Sequence, residues 1–165
     1  MNQKFFIENA EKYKDTVYRI ALNFFKNHYD ADDIVQEVLL KFYMTDKTFE
    51  NDEHVRNWLI RVAINQCKNV LRLPWRRRSV PLDELTGSIE FEYKEQNELF
   101  MQVMYLPEKY RVILYLFYYE EFSVKEISSL LKINESAVTT RLSRARKKLK
   151  QNLLEVSRDE NYGFL

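Results

Sequence analysis

The sequence predicts an all-α protein: two small helical domains joined by a flexible linker, the second of them a helix-turn-helix domain. Three observations predict it. Only two glycines and three prolines interrupt 165 residues, and both residue types break helices. Apolar residues recur at spacings of three and four, the period of a helix with one buried face. That period lapses between Pro74 and Glu95, where Trp75-Arg76-Arg77-Arg78 and Pro81 give way to Asp83, Glu84, Gly87, Glu90 and Glu92. A basic-to-acidic switch with prolines and a glycine marks a linker. The expected division is a first domain over 1–73, a linker over 74–95, a second domain over 96–154 and a frayed polar tail over 155–165.

The first helix is expected from Lys4 to Lys26, with Phe6, Ala10, Tyr13, Val17, Ile20, Ala21, Phe24 and Phe25 inward. Asn27 to Asp30 reads as a turn, with Asp30 capping a second helix that runs to Tyr43. That helix turns Ile34, Val35, Val38, Leu39 and Phe42 inward and Asp32, Asp33, Gln36, Glu37 and Lys41 outward. Thr45 to Glu53 is polar and turn-like, and His54 to Leu73 forms the third helix, ended by Pro74. Its core residues are Val55, Trp58, Leu59, Val62, Ala63 and Val70, with Cys67 as a small buried hydrophobe. Asn57, Arg61, Asn65, Lys68 and Arg72, with Asn69 beside them, make a polar and basic stripe along it. Amides interleaved with cations suit both base edges and phosphates.

Helices are expected to resume near Gln96, with Leu99, Phe100, Val103 and Met104 inward. Pro107 suits the first turn of a helix from Glu108 to Tyr119 that is apolar nearly all round, hence central to its domain. Ser123-Val124-Lys125-Glu126 fits a capping box. Ile127, Leu130 and Leu131 come next as one apolar face, and Asn134 caps a last helix starting at Glu135. The last helix has an inward stripe of Val138, Leu142, Ala145, Leu149 and Leu153. Outward it carries Thr139, Thr140, Arg141, Ser143, Arg144, Arg146, Lys147, Lys148 and Lys150. A short helix, a tight turn and a long helix with a hydroxyl-and-cation face is the layout of a DNA-reading helix-turn-helix. The chain as a whole has a net charge of only +1, so cations gathered on one helix are an electrostatic footprint for phosphate.

Composition narrows the rest. One cysteine excludes a disulfide framework and a multi-cysteine zinc site. Neither glycine lies in a phosphate-cradling pattern, and His28 and His54 stand far apart. No catalytic residue, cofactor or small-molecule substrate is expected. Asp33 and Glu37 lie one helical turn apart and could share a hard cation, but no histidine or second acidic helix completes a site, so no metal is expected. Charges at Lys4 and Glu8 interrupt any signal-peptide core, and no apolar run is long enough for a bilayer. The expected location is cytoplasmic.

The order of motifs resembles the extracytoplasmic-function (ECF) sigma factors of bacterial RNA polymerase, over nearly the whole chain from Phe5 to Leu154. Asp30-Ala31-Asp32-Asp33-Ile34-Val35-Gln36-Glu37-Val38 looks like that family's acidic polymerase-docking helix. Trp58-Leu59-Ile60-Arg61-Val62-Ala63-Ile64-Asn65 looks like its promoter-melting helix. Leu106-Pro107-Glu108-Lys109-Tyr110-Arg111, then Glu126-Ile127 through Arg141-Leu142-Ser143-Arg144-Ala145-Arg146, look like its C-terminal domain.

The resemblance implies that Asp32, Asp33, Gln36 and Glu37 bind core RNA polymerase. It implies that the loop from Phe49 through Glu50 and Asn51 to Glu53 holds a flipped base at the −10 element. Arg61, Asn65, Lys68, Asn69 and Arg72 would steady the adjoining strand and duplex. Thr139, Thr140, Ser143 and Arg144 would enter the −35 major groove, with Arg141, Arg146 and Lys147 on phosphates. The linker would thread toward the polymerase active centre. Many relatives are held inactive by an anti-sigma protein, commonly at the membrane; such a partner, and a monomer outside the holoenzyme, are expected here too. Two residues depart from the family habit: Lys132 where glycine is frequent, and Thr139 where a cation is frequent.

Three other readings stay open on residues alone. A conventional helix-turn-helix regulator that never joins polymerase accounts equally for the second domain, but leaves the acidic helix and the amide-basic stripe without a role. A helical metalloenzyme using Asp32, Asp33 and Glu37 lacks ligands. A scaffold with no DNA role leaves the clustered cations unexplained.

Overall fold

Polar side chains set the helix starts in this computed structural model, which describes residues 1–74, 99 and 101–162. Helix α1 (Gln3–Phe25) is capped by Asn2, whose Oδ1 accepts from the Lys4 N–H at 2.8 Å. Helix α2 (His28–Met44) is capped by Asn27, which accepts from Tyr29 at 2.9 Å and Asp30 at 3.4 Å. The expected cap, Asp30, therefore lies inside the first turn, where its carboxylate meets the positive end of the helix dipole. Helix α3 (Asp52–Leu71) starts two residues earlier than expected, because Asn51 Oδ1 accepts from the His54 N–H at 2.8 Å. Arg72 closes it, and Leu73 precedes Pro74, a position that disfavours helix.

The chain divides into two units, Met1–Leu85 and Thr86–Leu165. In the first, α1 packs on both α2 and α3, and α2 on α3. Val17, Ile20, Val38, Phe42, Leu59, Ile60, Ile64 and Cys67 are closed off from solvent. Phe42 sits at the centre, its ring 6.2 Å from Phe5, 5.8 Å from Phe6, 5.7 Å from Phe49 and 5.9 Å from Trp58. Several residues expected inward, among them Phe6, Val35, Leu39, Trp58 and Val62, are half-buried at the edges of this core.

In the second unit residues 101–104 are helical, and Met104 and Leu106 are buried. Leu99 was expected inward but is 48% exposed; Phe100 and residues 75–98, including most of the expected linker, lie outside the described residues. Helix α4 (Glu108–Leu114) comes directly after Pro107. It does not continue regularly to Tyr119: Tyr115–Tyr119 form a π turn, closed by the Glu120 N–H donating to the Tyr115 carbonyl at 3.1 Å. Helix α5 (Val124–Leu131) starts at Ser123, whose Oγ accepts from the Glu126 N–H and donates to its carboxylate, both at 3.1 Å. Helix α6 (Glu135–Tyr162) starts at Asn134, which accepts from Ala137 at 2.7 Å. It stays helical through Tyr162, so the expected frayed tail is instead an extension of this helix, whose polar residues still carry Leu149, Leu153 and Val156 at helical spacing. Both α4 and α5 pack on α6, around Ile113, Leu116, Ile127, Val138 and Ala145, all fully buried. Arg111 is buried with them; its guanidinium donates to the Leu106 carbonyl at 2.6 Å. Burial pushes that guanidinium down to about 10, against the opposing charge of Glu108.

The turn between α5 and α6 is built without glycine. Lys132 takes the left-handed conformation at φ 56° and ψ 45°, and its N–H donates to the Ser128 carbonyl. The Ile133 N–H reaches the same carbonyl at 3.2 Å, and Ser128 Oγ donates back to the Ile133 carbonyl at 2.5 Å. Left-handed backbone costs a residue with a Cβ about 1 kcal/mol relative to glycine. Lys132→Gly should therefore stabilise the second unit by up to about 1 kcal/mol, a rise of at most about 4–8 °C in melting temperature for a domain of this size. Ser128→Ala should shift it the other way by a similar amount. Thermal melts of the two variants check both signs.

Candidate nucleic-acid interface

Helix α2 presents Asp32, Asp33, Gln36 and Glu37 to solvent on one face, opposite the buried Ala31, Ile34 and Val38. Near its start, burial and then the Asp32 carboxylate push the Tyr18 phenol up. Glu37 is not isolated from α3: its Oε2 accepts from Gln66 Nε2 at 2.6 Å, and Gln66 Oε1 accepts from Lys41 Nζ at 2.5 Å. Gln66 thus ties the acidic face to the helix that bears the amide-basic stripe. Sequence reasoning missed it, because a single glutamine becomes informative only once two helices are packed. Among the described residues no three His, Cys, Asp or Glu side chains cluster as metal ligands do.

Along α3, Arg61, Asn69 and Arg72 are exposed and Asn65 and Lys68 half-buried, all on one face. From Asn57 at one end to Arg72 at the other the stripe spans about 22 Å at 1.5 Å per residue. The structure makes these residues a track along one helix, and a loop packs against its N-terminal end. In that loop Phe49 is half-buried, its ring packed on Phe42, Trp58 at 5.7 Å and His54 at 5.3 Å. Phe49 is consequently an anchor for the loop, one edge of it committed to the core. The Glu50 N–H donates to His54 Nδ1 at 3.4 Å, and Asn51 Oδ1 is committed to capping α3. Asn57 Oδ1 is buried with no hydrogen-bond partner among the described residues.

The start of α3 is fixed to α1 by a pair that the sequence pattern did not single out. Lys12 Nζ donates to Asp52 Oδ2 at 2.6 Å, and the Tyr13 hydroxyl to the Asp52 carbonyl at 3.4 Å. The hydrogen bond to Lys12 holds the Asp52 carboxyl below its usual range, and the bond to Asp52 holds the Lys12 ammonium above its own.

Helix α6 turns Thr139, Thr140, Ser143, Arg144 and Lys147 fully outward and leaves Arg141 half-exposed. Thr139 Oγ1 donates to the Glu135 carbonyl one turn back at 3.0 Å, which commits its proton and leaves the hydroxyl an acceptor. Arg146 is already engaged within the protein. Its Nε donates to the Tyr118 hydroxyl, and its guanidinium lies 5.4 Å from the ring centroids of both Phe117 and Tyr118.

A helix-turn-helix with an outward face of hydroxyls and cations defines a DNA-binding transcription protein. Residues 10–77 match the family Sigma-70 region 2, and residues 96–149 match Sigma-70, region 4. The chain is 30% identical to the sigma factor SigV of Bacillus subtilis, over 86% of each chain. It is 30% identical to the ECF sigma factor SigM of the same organism, over 87% of this chain and 91% of SigM. A structure of the sigma factor RpoE in complex with the anti-sigma factor NepR, from Bartonella quintana, superposes with a TM-score of 0.70 at 19% identity, covering 91% of this chain and 97% of that one. CnrH, solved in complex with the cytosolic domain of CnrY, gives 0.62 at 23% identity, covering 94% and 90%. The chain belongs to the ECF sigma factors. It is a promoter-specificity factor, of a family that binds core RNA polymerase and promoter DNA to initiate transcription. The match of the first unit to region 2 removes the reading as a conventional regulator.

The Lys12–Asp52 pair sets a pH dependence. A carboxyl held below its ordinary 3.8 in the folded state contributes stability above that pH and loses it as pH falls further. A lysine held above its ordinary 10.5 contributes fully below that pH and loses it above. Wild type should therefore melt slightly above Asp52→Asn at neutral pH, and the difference should vanish toward about pH 2. A difference that is constant with pH would show that the pair contributes nothing.

Proposed function

We propose that the three outward faces divide the work of promoter recognition. Asp32, Asp33, Gln36 and Glu37 dock on core RNA polymerase. Phe49, Glu50 and Asn51 border the place where a base of the −10 element is received, and Arg61, Asn65, Lys68, Asn69 and Arg72 track the adjoining strand and duplex. Thr139, Thr140, Ser143 and Arg144 read the −35 major groove, with Arg141, Arg146 and Lys147 on phosphates. The two domains are taken over 1–73 and 96–154, the last helix of the second continuing past that limit to Tyr162, and the linker over 74–95 would reach toward the polymerase active centre.

The observation that carries this reading is the Glu37–Gln66–Lys41 connection. A face suited to a protein partner and a face suited to a nucleic acid strand sit on two helices packed together, so docking one orients the other. Base extrusion costs a few kcal/mol, which backbone and stacking contacts must offset. A rigid α2–α3 pair makes those contacts available at once when polymerase is engaged. No residue acts catalytically, and the chemistry of RNA synthesis belongs to the polymerase. The protein works in the cytoplasm, beside the polymerase it serves. Among the described residues no helix is long and apolar enough to cross a membrane. The RpoE and CnrH structures, each solved with a second protein bound, support an anti-sigma partner that holds this chain inactive, anchored at the membrane or otherwise.

Run-off transcription with purified core polymerase on fragmented genomic DNA tests the reading. Adding the protein should produce new discrete transcripts. The Asp33→Ala/Glu37→Ala double variant, folded as judged by its melt, should lose most of them. Undiminished transcripts from that variant would remove the acidic face from polymerase docking.

A further inference from the structure

Tyr118 has no place in the core and none among the promoter contacts assigned to the three faces, yet it holds one of the cations of α6. It is 57% exposed. It lies inside the π turn Tyr115–Tyr119, whose wider winding departs from the regular helical period. There the Tyr118 hydroxyl accepts from Arg146 Nε, and the Phe117 and Tyr118 rings both lie 5.4 Å from the guanidinium. The arrangement has two chemical consequences. An arginine has much rotamer freedom to lose on binding, and a ring platform with a bond at Nε removes that freedom in advance while both terminal NH2 groups stay available for a fork onto a phosphate. The tie is also electrically neutral. A carboxylate in place of Tyr118 would orient the guanidinium equally but cancel its charge, whereas a phenol leaves the full positive charge for DNA. Among the described residues no carboxylate pairs with Arg146.

We propose that Tyr118 is a positioning residue for promoter binding, which pre-orients Arg146 toward a phosphate of the −35 duplex; this rests on the −35 reading of α6. The π turn is then the feature that couples the buried centre of the second unit to its DNA face.

The test measures equilibrium binding of the reconstituted holoenzyme to a promoter fragment obtained by run-off transcription, as a function of salt. Arg146→Ala should weaken binding and make the log–log salt slope shallower by about 0.9, the loss of one phosphate contact. Tyr118→Phe, which removes only the hydroxyl, should weaken binding about two- to tenfold. It should add nothing when combined with Arg146→Ala. Tyr118→Glu keeps an acceptor for Arg146 and so preserves a purely structural tie, but should lower both affinity and slope by cancelling charge. Tyr118→Phe and Tyr118→Glu at wild-type affinity and slope would overturn the proposal. So would an Arg146→Ala slope equal to wild type, which would make the tie an internal brace. In that case Arg144→Ala and Lys147→Ala separate the two levels: shallower slopes there keep the −35 reading, and unchanged slopes remove it as well.

Discussion

The first unit depends on the burial of one ring. Phe42 is fully closed off from solvent and meets Phe5 and Phe6 from α1, Phe49 from the loop and Trp58 from α3. A buried aromatic side chain contributes a few kcal/mol by area, and ring pairs add to it. Its larger effect is positional. It fixes the loop that ends at Asn51, and Asn51 in turn fixes where α3 begins. The amide-basic stripe of α3 is therefore set in register with the acidic face of α2 by apolar contact on one side and by Gln66 on the other.

The second unit solves a different problem, a tight helix-to-helix turn in a chain with almost no glycine. Among the described residues, Lys26 in the first unit and Glu121 and Lys132 in the second take positive φ despite carrying side chains. At Lys132 the cost is offset locally, since Ser128 satisfies the turn through both its carbonyl and its hydroxyl. The outcome is a helix-turn-helix whose angle is held by hydrogen bonds and by the Ile127, Leu130 and Leu131 face against α6. A reading helix must be rigid relative to its support if hydroxyl and guanidinium groups are to meet a groove, and these contacts supply that rigidity.

Much of the fold was legible in the sequence because it is written in local chemistry. The caps at Ser123 and Asn134, the buried stripe of Val138, Leu142 and Ala145, and the family motifs all lie within a few residues of one another. The misses share a cause. Asp30 and Asn27 are both good caps, and only the path of the chain out of α1 selects Asn27. The π turn is invisible to a period-3.6 reading, since Tyr115–Tyr119 look like the end of an apolar helix. Gln66 and Tyr118 matter through partners 29 and 28 residues away. The helical extension from Glu155 to Tyr162 was missed because its composition is polar, although its apolar residues keep the period.

Coupling of the two faces would confine promoter recognition to the polymerase-bound protein. It is tested most directly by titrating a fluorescent promoter fragment with the protein alone, then with the protein plus core polymerase, at one fixed salt concentration. The predicted result is weak, sequence-tolerant binding by the protein alone and tight, competitor-resistant binding once polymerase is present. Tight and sequence-specific binding by the protein alone, unchanged by polymerase, would contradict it.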